Sequence, residues 1–164
     1  MNGLEPFDTV TTYKGANCMG KFKIYMDCCC FGRPFDNLSQ EKVRFEREAI
    51  LSIISSCEAG VWDIFKSDSL EDEINRINNP IKIQQILKLY SSATINIEIN
   101  DKIIGRAAEL ITKFKLGSFD ALHLTSAEYD RADILLTIDK KFLHCSSGSL
   151  ITEAEIILKN ERSY

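Results

Sequence analysis

The chain has 164 residues, of which 45% are hydrophobic and 27% are charged, with only eight glycines and three prolines. This composition excludes a collagen-like, mucin-like or broadly disordered chain, and the length suits one domain that buries roughly 70% of its unfolded surface. The net charge of −4 argues against nucleic-acid binding by general neutralisation of phosphates. It does not exclude an enzyme whose bound cations meet the phosphate.

Apolar runs alternate with amphipathic stretches beyond residue 21, whereas residues 1–20 lack periodicity and are expected to form a flexible N-terminal extension. Residues 21–164 contain no repeat or linker and are expected to form a single domain. In chain order, the patterns predict a strand at 22–26, a loop at 33–37, a helix at 40–58, a strand at 61–66, helices at 68–78 and 81–90, a strand or extended connection at 94–99, helices at 102–115 and 119–131, a strand at 134–138 and a last strand at 149–152. Strands separated by helices imply a three-layer α/β fold, with a mostly parallel sheet of about four or five strands between helices on both faces.

Helix starts are predicted from polar residues in capping positions. Asp68 and Glu71 are spaced as a capping box at the start of the 68–78 helix, and Ser118 is placed to cap the 119–131 helix.

The chain has six cysteines, and the run Cys28, Cys29 and Cys30 lacks the spacing that brings two thiols to one zinc ion. If this run continues the first strand, Cys28 and Cys30 share a face and Cys29 does not. The sequence has no signal-peptide pattern and no run of 18 apolar residues. We therefore expect a cytoplasmic protein without membrane contact, whose reduced thiols pack as small hydrophobic groups.

Carboxylates stand at the ends of predicted strands and at the start of a helix. Asp27 follows the first strand and Asp139 the strand at 134–138, so both are expected at the carboxyl edge of the sheet, where ligands of such folds bind. Asp120 lies in the first helical turn, where the helix dipole favours an anion, and its neighbours are largely apolar. A buried acid costs free energy unless it is paired or bound to a metal.

The helix at 68–78 carries three consecutive acids, Glu71, Asp72 and Glu73. At about 100° per residue, Glu73 lies roughly 65° from the centre of the apolar face, Glu71 roughly 90° away, and Asp72 nearly opposite. Glu73 is therefore the acid predicted at the edge of the core, and Glu71 is better explained as a partner in a cap.

A single aspartate after a strand is ordinarily a turn or cap residue, but four carboxylates at one edge of a sheet favour a metal site. Grouped like charges raise one another's pKa values unless a cation neutralises them, and Mg²⁺ and Mn²⁺ prefer oxygen ligands. Two such ions about 4 Å apart activate water and stabilise the leaving oxygen in phosphodiester hydrolysis.

The sequence resembles the PIN-domain pattern over about residues 22–154. The matching segments are Asp27 after the first strand, Ser67 with Glu73 six residues on, Asp120 within Phe-Asp-Ala-Leu-His-Leu, and Asp139 within Leu-Leu-Thr-Ile-Asp-Lys-Lys-Phe. The loop Arg33-Pro34-Phe35-Asp36 is similar to a PIN subgroup with this loop after the first acid. PIN domains are α/β metal-dependent ribonucleases, and many bacterial members are VapC-type toxins of toxin–antitoxin pairs.

The resemblance implies that four catalytic acids bind Mg²⁺ or Mn²⁺ with support from neighbouring side chains. The implied ligands are Asp27, Glu73, Asp120 and Asp139. Thr137 would support Asp139, and Ser67 would orient the pocket. His123, one turn beyond Asp120, is either a packed, hydrogen-bonded histidine or a supporting residue near the metals.

The function expected from this pattern is a metal-dependent endoribonuclease that hydrolyses single-stranded or structured RNA. As a toxin it would form a homodimer and bind a cognate antitoxin. The alternative is a catalytically silent PIN-like module that binds RNA or a partner protein, which the presence of all four acids disfavours. A phosphatase of another α/β fold would normally have an Asp-x-Asp pair after the first strand. In this chain the second aspartate of such a pair is replaced by Cys29. RNA binding should be weak without metal, because no basic groove is apparent.

Overall fold

The computed structural model describes residues 20–142 of the chain. The helices are α1 (Cys28–Gly32), α2 (Glu41–Glu58), α3 (Asp68–Asn75), α4 (Pro80–Tyr90), α5 (Asp101–Phe114) and α6 (Ser118–Tyr129), and a 3₁₀ turn covers Arg33–Phe35. The strands are β1 (Phe22–Met26), β2 (Trp62–Ser67), β3 (Ile95–Ile97) and β4 (Ile134–Leu136). The extension up to residue 19 and the strand predicted at 149–152 lie outside the described residues, so the division into 1–20 and 21–164 stays a prediction.

The strands form one parallel sheet in the order β3-β2-β1-β4. Successive side chains of a strand point to opposite faces, and β1 supplies both cores in this way. Ile24 and Met26 pack with residues of α1, α2, α3 and α4, whereas Tyr25 packs with Phe65, Leu135 and residues of α5 and α6. The predicted α/β fold, with a parallel sheet between two helical layers, is confirmed.

The parallel pairing brings the strand ends together at one edge. Met26 at the end of β1 stands opposite Leu136 at the end of β4. The backbone N–H of Asp27 then donates to the carbonyl of Leu136 at 3.1 Å, which fixes Asp27 beside the end of β4. This edge carries the residues that follow β1 and β4.

The cysteine run is helical, so it does not continue β1, which ends at Met26 as predicted. The Asp27 carboxylate accepts a hydrogen bond from the backbone N–H of Cys30 at 2.8 Å and begins α1 as its N-cap. Cys28 and Cys30 are buried and Cys29 is exposed. The loop predicted at 33–37 likewise begins with the 3₁₀ turn Arg33–Phe35.

Two predicted caps are also wrong, each by one residue. Ser67 caps α3 by accepting from the N–H of Leu70 at 3.2 Å, and the Asp68 carboxylate instead accepts from the N–H of Ile99 at 3.0 Å. Gly117, not Ser118, is the N-cap of α6, with no side-chain hydrogen bond.

Predicted elements end early where the backbone or a side chain redirects the chain. β4 stops at Leu136, and the Thr137 hydroxyl accepts from the N–H of Asp139 at 3.0 Å in the following turn. Helix α3 stops at Asn75 because the N–H groups of Arg76 and Ile77 bond three residues back in a tightened last turn. Across residues 20–142, no helix combines the length and apolar composition that crossing a membrane requires.

Candidate active site

Asp27 is a buried carboxylate at the carboxyl edge of the sheet, with 3% of its surface exposed. Burial raises its pKa above the ordinary value, although hydrogen bonds from the Thr137 hydroxyl and the Cys30 N–H oppose the shift. The charged form is therefore costly at this position, and a nearby positive charge would stabilise it.

Asp120 and Asp139 approach this edge from α6 and from the turn after β4. The pKa of Asp120 is raised by burial first and by the Asp139 carboxylate second, and Glu73 contributes in the same direction. One oxygen of Asp139 accepts from the N–H of Lys141 at 2.7 Å. The two aspartates are thus close enough to repel each other across the edge of the sheet.

Glu73 is held by a hydrogen-bonded chain that runs into the core. Its carboxylate lies 2.7 Å from Nε2 of His123, and Nδ1 of His123 lies 2.9 Å from the Tyr25 hydroxyl. The Tyr25 hydroxyl is 2.7 Å from the Ser67 hydroxyl. With the carboxylate as acceptor, His123 donates a hydrogen bond through Nε2, and its Nδ1 accepts a hydrogen bond from the Tyr25 hydroxyl.

This series of hydrogen bonds accounts for the placement of Glu73, His123 and Ser67. Glu73 lies at the edge of the core, where the helical geometry predicts it, and 30% of its side chain is exposed. His123 is a fully engaged buried histidine that orients Glu73. Ser67 both caps α3 and bonds to Tyr25, which fixes the helix that carries Glu73.

The sequence does not mark Tyr25 as a functional residue, because it stands in an apolar strand and is typical of a core side chain. A buried tyrosine hydroxyl needs a hydrogen-bond partner. This requirement is the one sequence-level indication that Tyr25 takes part in a polar network. Its partners Ser67 and His123 lie 42 and 98 residues away. Sequence spacing could not have named them.

The four predicted ligands share one edge, but the described residues contain no group of three or more His, Cys, Asp or Glu side chains placed to hold a metal ion. Glu73 is turned toward His123, and Asp139 toward the Lys141 backbone. The donor chemistry fits a hard divalent cation, since the donor atoms are carboxylate oxygens. The carboxyl groups of Asp27 and Asp120 have raised pKa values, which a bound cation would lower.

Comparisons with known proteins support the fold. Neither the protein-family models nor the curated protein sequences give a match. The crystal structure of the Mycobacterium tuberculosis toxin VapC20, a sarcin-ricin loop cleaving toxin, is similar, with a TM-score of 0.54, 10% sequence identity and coverage of 75% of this chain and 95% of that chain. The chain has a VapC-like fold. At this identity the similarity concerns the arrangement of strands and helices.

The raised carboxyl pKa values make the stability of this VapC-like fold depend on pH. The pKa values of Asp27 and Asp120 lie above 3.8 in the folded protein, so the folded state binds more protons than the unfolded state between 3.8 and those raised values. We expect the free energy of unfolding to fall as the pH rises through this window. Urea unfolding in EDTA at a series of pH values measures the fall. Asp27→Asn should reduce it, and an unchanged pH dependence in that variant would contradict the assignment.

Tyr25→Phe tests the buried hydrogen-bonded chain. Removing the hydroxyl leaves the Ser67 hydroxyl and Nδ1 of His123 without this partner in the core. We expect a loss of about 1–3 kcal/mol in the free energy of unfolding by urea denaturation. Tyr129→Phe is the matched control, because 46% of Tyr129 is exposed. Equal effects of the two substitutions would show that the Tyr25 hydroxyl has no special role.

Proposed function

We propose that this protein is an endoribonuclease that depends on Mg²⁺ or Mn²⁺ and hydrolyses RNA phosphodiester bonds. The observation that carries the proposal is the placement of Asp27, Asp120, Asp139 and Glu73 along the carboxyl edge of the sheet. Burial raises the pKa values of Asp27 and Asp120, and the Asp139 and Glu73 carboxylates raise that of Asp120 further. Such a group is unfavourable by itself and becomes favourable with a bound cation.

In this proposal the same four carboxylates would hold the metal. A bound divalent cation supplies an activated water and stabilises the charge that develops on the leaving oxygen. His123 keeps the Glu73 carboxylate at the edge of the core through its 2.7 Å hydrogen bond. Cys30 and Thr137 orient the Asp27 carboxylate. These contacts fix two of the ligands before RNA arrives, which favours a defined reaction geometry.

We also propose, from the Arg33-Pro34-Phe35-Asp36 sequence alone, that the chain belongs to the PIN subgroup with this loop. Asp36 pairs with Arg33 at 3.0 Å and with Lys82 at 2.6 Å, so the loop is tied to α4. Arg33 also lies 2.9 Å from Glu46 of α2. These ion pairs would hold α1, and with it Asp27, against the rest of the molecule.

The biological setting we propose is that of a bacterial toxin in the cytoplasm, working as a homodimer and inhibited by a cognate antitoxin. The support is the VapC-like fold, which the chain shares with a toxin described as cleaving the sarcin-ricin loop. The substrate proposed here is RNA, single-stranded or structured.

A catalytically silent PIN-like module that binds RNA or a partner protein is the second candidate. It is favoured by one observation: in residues 20–142 the acidic side chains do not converge into a group of three ligands. Under the nuclease proposal, Asp27 and Glu73 stay in place, and rotation of the Asp120 and Asp139 side chains on metal binding completes the ligand set. Under the alternative, the carboxylates stay apart.

Incubation with labelled single-stranded and stem-loop RNA separates the two candidates. The nuclease proposal predicts cleavage with Mg²⁺ or Mn²⁺ that EDTA abolishes. Retention of intact RNA, with no cleavage under either metal, would favour the silent module. Persistence of cleavage in EDTA would contradict metal dependence.

A further inference from the structure

Arg76 differs from several other arginines of the described residues in having an aromatic ring as its partner. Its guanidinium lies 5.1 Å from the centre of the Phe119 ring, and the side chain is exposed. In the described part of the chain, it forms no ion pair within 4.0 Å. Other arginines are engaged with carboxylates: Arg33, Arg47 and Arg106. Arg76 therefore keeps its hydrogen-bond donors available to a ligand.

The Arg76–Phe119 pair stands directly beside the proposed catalytic carboxylates. Arg76 follows Glu73 by three residues, and Phe119 immediately precedes Asp120. The Phe119 ring also stacks against His123, with centroids 6.3 Å apart and planes 24° apart. A ligand that rests on this pair would be next to the carboxylate edge.

The pair lines an open cleft of about 360 Å³, whose other walls include Asp68, Asp72 and Leu122. This volume is near the lower end of small-ligand sites, roughly 300 Å³, and suits one planar base better than a larger group. Unpaired bases stack on aromatic rings and on guanidinium planes, and both surfaces are present here.

The charges of the cleft determine which part of a nucleotide enters it. Asp68 and Asp72 repel a phosphate, but a carboxylate accepts hydrogen bonds from an exocyclic amino group such as N4 of cytosine. Uracil presents a carbonyl oxygen at the same position, which a carboxylate disfavours. The base would therefore occupy the cleft while Arg76, at its rim, contacts the adjoining phosphate.

We infer that this cleft is a nucleotide subsite. It binds one unpaired base of the RNA beside the reacting phosphodiester, through stacking on Phe119 and Arg76. It prefers cytosine to uracil because of Asp72, since the Asp68 carboxylate already accepts from the N–H of Ile99. The inference rests on the proposed function for its substrate class, but binding is measured separately from cleavage.

The test is fluorescence anisotropy of labelled oligocytidine and oligouridine of equal length, at low ionic strength in EDTA, where cleavage is stopped. We expect Phe119→Leu and Arg76→Gln each to weaken oligocytidine binding by about 5- to 100-fold. Arg76→Gln should also reduce the salt dependence of binding by about one phosphate contact. Tyr129→Leu, at the other end of α6, and Arg131→Gln, just beyond that end, should leave binding unchanged.

The base preference has its own matched pair of variants. Asp72→Asn should remove most of the preference for oligocytidine over oligouridine, whereas Glu71→Gln, an exposed neighbour on the same helix, should keep it. Equal losses in the Arg76, Phe119 and control variants, or no binding by the wild-type protein, would overturn the subsite. Binding that depends on Arg76 and Phe119 in a protein that cleaves no RNA would support the subsite and reject the nuclease.

Discussion

Asp27→Asn is expected to reduce metal-dependent RNA cleavage by at least about 100-fold, since even residues that only support a metal ligand cost 10- to 100-fold when removed. The substitution removes the charge and weakens cation binding. In the wild type, the Asp27 carboxylate accepts a hydrogen bond from the Cys30 N–H at 2.8 Å. The asparagine side chain keeps an oxygen that can accept this hydrogen bond, and asparagine is an equally good N-cap. Loss of activity with a retained fold, measured by initial cleavage rates and by thermal unfolding, is the expected result.

Asp133→Asn is the control for this experiment. Asp133 also adjoins a strand of the same sheet, but it precedes β4, and its carboxylate accepts from the N–H of Lys23 at 2.7 Å. It lies at the amino edge, away from the proposed site. Comparable loss of cleavage in both variants, or full activity of Asp27→Asn, would show that the Asp27 carboxylate is not a catalytic ligand.

Mg²⁺ or Mn²⁺ is expected to stabilise the folded protein. At a free ion concentration about 100 times Kd, a ligand that binds only the folded state adds about 2.7 kcal/mol to the free energy of unfolding. The physical source here is relief of the repulsion between Asp120 and Asp139, together with a partner for the buried Asp27. Urea unfolding with and without EDTA measures the effect in the absence of RNA.

The double substitution Asp120→Asn, Asp139→Asn supplies the contrast. It should be more stable than the wild type without metal, because the repulsion is gone, and it should gain little from added Mg²⁺. A divalent-ion effect of the same size in both proteins, or one matched by Na⁺ at equal ionic strength, would mean that the ion acts elsewhere on the surface.

The sequence predicted the parts of the fold that depend on local periodicity. The apolar face of α2, with Val43, Ile50, Ile54 and Cys57 buried, follows directly from helical spacing. The position of Glu73 at the edge of the core follows from the same geometry on α3. The parallel sheet follows from the alternation of strands and helices.

The errors occurred where one hydrogen bond decides between alternatives. The cysteine run is helical because Asp27 caps it. Three consecutive apolar residues are compatible with either a strand or a helix, so the sequence pattern alone does not decide between them. The cap of α3 moved from Asp68 to Ser67 because Asp68 is used by the backbone of Ile99, 31 residues away. Such choices depend on tertiary contacts that local sequence does not contain.

The candidate site was predicted as a set of acids, but the sequence could not describe their partners. The link from Glu73 to His123 spans 50 residues, and the link from His123 to Tyr25 spans 98. Arg76 and Phe119 meet only because α3 and α6 pack together. The carboxylates can be recognised as candidate ligands from the sequence, whereas the hydrogen bonds that hold each of them depend on the fold.

The most direct test of the central claim, that these carboxylates bind a divalent cation, is a crystal of the protein soaked in Mn²⁺ and measured near the manganese absorption edge. We expect an anomalous difference peak at the carboxyl edge of the sheet, in contact with Asp27 and at least one of Asp120, Asp139 and Glu73. A map with Mn²⁺ only at other positions, and none at this edge, would contradict the account.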